Sequence, residues 1–137
     1  MEFRNNFQEL KFQIEYLSSL NKEDIIHIIK SSIYELESLK LFNEEELNEI
    51  NKVTLISEPF NNLFFKYNKE RLINKGVVYI EEDNDLQFII SLLYFFKQRV
   101  PILFHTSSKL QLQFIDILNK FLEENGVSKK FLRKIDE

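Results

Sequence analysis

The chain contains no cysteine, and that absence removes disulfide frameworks, thiol nucleophiles, thiol redox switches and thiolate metal sites together. Glycine is nearly as scarce. With only Gly76 and Gly126 in 137 residues, there is neither a G-x-G-x-x-G fingerprint nor a G-x-x-x-x-G-K-[ST] phosphate loop, since both need several positions without a Cβ. The two histidines, His27 and His105, are isolated and form no H-E-x-x-H pair, too few for a histidine-rich zinc site. No G-x-S-x-G elbow is present. The net charge of -4 argues against general nucleic-acid binding, because non-specific affinity comes chiefly from Lys and Arg neutralising phosphates.

What is present is apolar material. Hydrophobic residues make up 44% of the chain and aromatic ones 14%, most of them Phe, which is enough to bury a core without staples. The length suits a single domain over 1–137, in which 1–50 forms a helical subregion and 53–137 a small α/β subregion. The greasiest stretch, Leu86 to Phe96, is about half as long as a bilayer span and is expected to be a buried helix. The opening residues Met1 to Asn6 are too polar for a signal peptide, so a cytoplasmic location without membrane association is expected.

In the front half, Phe3, Phe7, Leu10, Ile14 and Leu17 are spaced 4, 3, 4 and 3 residues apart, the rhythm of a helix packed along a seam, either within the fold or as a homodimer contact through residues 3–17. Asn21 with Asp24 marks a second helix start, followed by a stripe of Ile26, Ile29, Ile33 and Leu36 flanked by Ile25 and Ile28. Asn43 and Glu46 stand in capping-box positions for a third helix.

From Val53 the rhythm changes. Val53 to Ile56 is either the last turn of that helix or a short strand, with its β-branched residues and the following Ser57-Glu58-Pro59 favouring the strand. A helix carrying Phe60, Leu63, Phe64 and Tyr67 is then expected to end near Gly76. Val77 to Ile80 and Val100 to Phe104 read as strands separated by the greasy helix, with Pro101 tolerated near a strand start. Ser107 or Ser108 caps a further helix, Leu110 to Phe121, with Gly126 beyond its end. Strands separated by helices imply parallel pairing. The fold class is therefore an α-rich α/β or α+β protein with N-terminal helices and a small parallel sheet of two or three strands covered by helices.

Parallel strands deliver their following loops to the same end of the sheet, where ligands gather in such folds. The acidic loop Glu81, Glu82, Asp83, Asn84, Asp85 and the polar loop His105, Thr106, Ser107, Ser108, Lys109 should therefore be neighbours. Glu81, Asp83 and Asp85 are hard oxygen donors suited to Mg²⁺, while Thr106, Ser108 and Lys109 with helix-start N–H groups suit a phosphate or nucleotide. His105 with Ser107 is the catalytic candidate, although no third residue is identified to orient the imidazole. Every one of these residues also has an ordinary reading as a helix cap or dipole partner.

The sequence favours an interaction or regulatory module, immunity- or inhibitor-like, over an enzyme. It carries no catalytic signature, and its aromatic supply is read either as a Phe-rich core or as a surplus that leaves an apolar patch for docking. Phe60, Phe64, Phe65 and Tyr67 are the expected docking surface for another protein, and Tyr94, Phe95 and Phe96 a second aromatic cluster. The metal- and phosphate-binding domain or enzyme is the alternative. A second alternative, nucleic-acid binding, rests on Lys129, Lys130, Arg133 and Lys134, otherwise read as a short amphipathic helix.

Overall fold

A computed structural model describes residues 20–55, 71–73, 77–128 and 131–135. It is an α-rich α/β fold. The expected seam at 3–17 lies outside the described residues, as do Phe60, Phe64, Phe65, Tyr67, Gly76, Lys129 and Lys130.

Helix α1 spans Lys22–Ser38 and starts where expected: Asn21 accepts a hydrogen bond from the Glu23 N–H at 2.7 Å, with Glu23 and Asp24 in the first turn against the positive end of the dipole. Its buried face is Ile25, Ile28, Ile29, Ser32, Ile33 and Leu36, so the stripe is rotated slightly from the expected one and leaves Ile26 half-buried. Ser32 satisfies its hydroxyl on the Ile28 carbonyl. His27 is exposed. Helix α2, Glu44–Asn51, carries the full capping box, with Asn43 and Glu46 exchanging bonds of 3.0 and 2.8 Å.

The chain then tightens into a 3₁₀ turn, Lys52–Leu55, which corrects the strand expected from Val53. Tertiary bonds favour the helical turn. The Lys97 ammonium donates to the carbonyls of Val53 and Thr54, Thr54 bonds back to the Asn51 carbonyl, and Val53 is buried.

Four strands form one sheet in the order β1 (Arg71–Ile73), β2 (Val77–Ile80), β3 (Ile102–Phe104), β4 (Leu132–Lys134). Strands β2, β3 and β4 are parallel, and β1 adds an antiparallel edge with Leu72 opposite Val78. Two expectations fail here. The helix expected to carry Phe60, Leu63, Phe64 and Tyr67 begins outside the described residues and does not include 71–73, which form β1 and pair with β2. The basic amphipathic helix expected near the C-terminus is a strand over 132–134, and it supplies the third parallel member that 53–55 does not. The reason lies in its anchors: Phe131 and Ile135 are fully buried, Phe131 stacks on Phe96 with centroids 5.4 Å apart, and the Ile135 N–H donates to the Phe104 carbonyl at 2.7 Å. A helix would also set these two residues, four apart, on one face, but it would leave the backbone edge of β3 unpaired, which the strand satisfies.

Helix α3, Asp85–Lys97, links β2 to β3, and α4, Lys109–Glu124, links β3 to β4. With strands in sequential order, right-handed crossovers place both helices over the same face of the sheet. Phe88 of α3 meets Phe104 of β3 edge-on, and α1 packs on α3 and α4 as the outer layer. Residues 91 to 96 of α3 are all buried, including Tyr94, Phe95 and Phe96. The greasy stretch is thus the buried helix expected of it, and Tyr94, Phe95 and Phe96 contribute no surface cluster. A helix sandwiched between sheet and outer helices buries its whole circumference. No described helix is long and apolar enough to cross a membrane.

Candidate functional site

The loops after β2 and β3 do meet, and the meeting point is a hydrogen-bonded clasp. Asp85 opens α3 and Ser108 caps α4, each placed by the end of its preceding parallel strand. The Ser108 hydroxyl donates to Asp85 Oδ1 at 2.9 Å, and the Gln111 amide donates to the same oxygen at 3.0 Å and to the Glu82 carbonyl at 2.8 Å. Ser108 Oγ also accepts from the Gln111 N–H, completing the N-cap. Gln111 is almost wholly buried, and its Oε1 accepts no hydrogen bond. Turning the amide over would set that oxygen against Asp85 Oδ1 and the Glu82 carbonyl, so its orientation is decided by two acceptors.

The remaining candidates are distributed around this clasp. Asn84, not Asp83, caps α3 by accepting from the Gln87 N–H, and its own N–H donates to Glu82 Oε1. Glu81 accepts from the Tyr79 hydroxyl at 2.9 Å, and Asp83 is exposed. The three acids considered for a metal are therefore engaged differently, and no group of three or more His, Cys, Asp or Glu among the described residues could hold an ion. Thr106 is buried and accepts from the Ser108 N–H, whereas Ser107 and Lys109 are exposed.

His105 continues the parallel ladder by donating its backbone N–H to the Ile80 carbonyl. Its Nδ1 lies 2.8 Å from the Ile135 carbonyl, which can only accept, so Nδ1 carries the proton. The imidazole thereby ties the end of β3 to the residue that follows β4. No hydrogen bond joins His105 to Ser107 among the described residues.

Compared with known proteins, the chain matches no family model, no curated protein and no solved structure. Its function is therefore read from its own surface.

The surface has a second feature, which the sequence reading passed over. Lys30, Ser31, Tyr34, Glu35 and Ser38 of α1 and Phe121 of α4 line an open cleft of about 540 Å³. Tyr34 is 68% exposed, and Leu39 and Leu41 just past the helix end are 37% and 44% exposed. Lys120 bridges the floor by pairing with Glu35 and lying 4.8 Å over the Phe121 ring. Tyr34 lies off the apolar stripe of α1, and that departure from periodicity was the available signal for it. Phe121 was masked by its place in an otherwise regular core stripe.

Proposed function

We propose that this chain is a protein-interaction or regulatory module that acts by docking another protein on the α1–α4 face, with no catalytic step of its own. One observation carries the reading. The large apolar side chains most exposed among the described residues, Tyr34, Leu39 and Leu41, fall within eight residues at the C-terminal end of α1, and Tyr34 lines the cleft. Tyrosine at the lip of a cleft is the residue type that interface hot spots favour, since it offers large apolar area with a hydroxyl for the wet rim. The other described rings are buried or, like Phe42 and Phe121, partly buried against the core, which sets Tyr34 apart.

The test is a photo-crosslinking residue incorporated at Tyr34 in cells that express the protein. A discrete adduct that disappears in Leu41→Glu supports the reading. Labelling no stronger than that from the exposed control position Glu23 counts against it.

A second reading keeps one observation in its favour: the loops after β2 and β3 converge at the end of the sheet where α/β proteins place ligands. On this reading Asp85, Ser108 and Lys109 would receive a phosphorylated compound with Mg²⁺. The direct bond from Ser108 to Asp85 weighs against it, since the two groups occupy each other. A saturable rise in thermal midpoint with Mg²⁺ and a nucleotide, abolished in Lys109→Ala, would reverse that preference.

A further inference from the structure

We propose that the α1–α4 face is self-complementary and pairs with a second copy of this chain about a two-fold axis passing close to Tyr34. The inference rests on the reading of this face as a docking surface and names its occupant.

The knob and the hole belong to the same patch. Tyr34 stands mostly exposed at the edge of a cleft whose other wall is Phe121, so a two-fold mate offers its own Tyr34 to that cleft while receiving the first. Isologous contacts have this property, one surface patch satisfying itself in both directions. A ring entering between Tyr34 and Phe121 meets aromatic partners on both sides.

Charge specifies the direction of pairing. Lys30 and Glu37 lie on the exposed side of α1, four residues before and three after Tyr34. Neither has an ionic partner among the described residues, in contrast to Glu35, which is taken by Lys120. At about 1.5 Å rise per residue, Lys30 is roughly 6 Å to one side of Tyr34 and Glu37 roughly 4.5 Å to the other. Two copies of α1 laid antiparallel across Tyr34 therefore set Lys30 of each against Glu37 of its mate. A parallel arrangement would set Lys30 on Lys30 and Glu37 on Glu37. Antiparallel packing also brings opposite dipole ends together.

The experiment is sedimentation equilibrium on the full chain, from low micromolar to the highest soluble concentration. The weight-average mass should climb from 16.6 kDa toward twice that value and fall on dilution. Tyr34→Ala should hold the protein at monomer mass. Lys30→Glu should weaken pairing by about tenfold or more, and Lys30→Glu combined with Glu37→Lys should restore it, because the ion pairs re-form with their signs exchanged. All these positions are exposed, so the variants keep the fold, which far-ultraviolet circular dichroism verifies. A monomer mass at every concentration overturns the proposal, as does a dimer indifferent to Tyr34→Ala or a double reversal that fails to recover pairing. A monomeric wild type that still crosslinks another protein through position 34 would sink self-pairing and leave the docking reading standing.

Discussion

Replacing Asp85 with alanine should lower stability, and the size of the loss separates a structural clasp from a ligand site. Asp85 Oδ1 accepts from Ser108 Oγ and from the Gln111 amide, and its charge sits at the first position of α3. Hydrogen bonds to an ionised acceptor contribute roughly 1.5–3 kcal/mol each, with half-exposed ones at the low end, and the dipole contact adds a few tenths more. The expected cost is about 2–4 kcal/mol, a large share of the roughly 5–15 kcal/mol that holds a domain together. At a slope of about 2 kcal/mol/M, urea unfolding followed by circular dichroism should show the midpoint falling by about 1–2 M with an unchanged slope. Lys109→Ala, at an exposed position beside the clasp, should stay within about 0.5 kcal/mol of wild type. Adding Ser108→Ala to Asp85→Ala should cost less than the two single changes together, because each removes the other's partner. Carboxylates kept for ligand binding behave in the opposite way, since they are retained at the expense of stability. An Asp85→Ala variant as stable as wild type or more so, with a wild type whose midpoint rises on adding Mg²⁺, would refute the clasp.

Phe131→Ala should cost about 3–5 kcal/mol in chemical unfolding, because a fully buried ring stacked on Phe96 leaves a cavity between α3 and the start of β4; a loss below about 1 kcal/mol would mean that the C-terminal strand is not part of the core. Burial, reinforced by the positive charge of Lys22, holds the Lys97 ammonium below its ordinary 10.5. The unfolded chain therefore binds more protons between the lowered value and 10.5, so stability from this residue should rise with pH across that window, and below it the desolvated charge is a constant cost. Subtracting the stability curve of Lys97→Met from that of wild type should reveal the rise, and a flat difference would argue against it.

Local chemistry made much of this fold legible. The caps at Asn21, Asn43 and Ser108 are short-range hydrogen bonds within a few residues; the first two form at their expected places, and the third settles on Ser108 of the two serines considered. The alternation of β2, α3, β3 and α4 followed from the change of apolar period and implied parallel strands before any pairing was known. Where the reading failed, partners distant in the chain decided the outcome. Val53 and Thr54 became a 3₁₀ turn under Lys97, more than forty residues on. Residues 132 to 134 became a strand because β3 offered an open edge and Phe96 a ring to stack on. For the candidate site, the sequence placed the two loops side by side but not the identity of their contact. Gln111, which closes the clasp, is a polar residue inside a regular helical stripe and has no local signature.

By itself the sequence determined the helix starts, the strand-helix alternation and the exclusion of thiol and glycine-loop chemistry, all properties of residues near one another or of composition. Only the tertiary structure decided which strands complete the sheet, which aromatic rings are spent on the core, and that Tyr34 is left outside it. Burial depends on what the rest of the chain brings to a side chain, and no window of neighbouring residues contains that information.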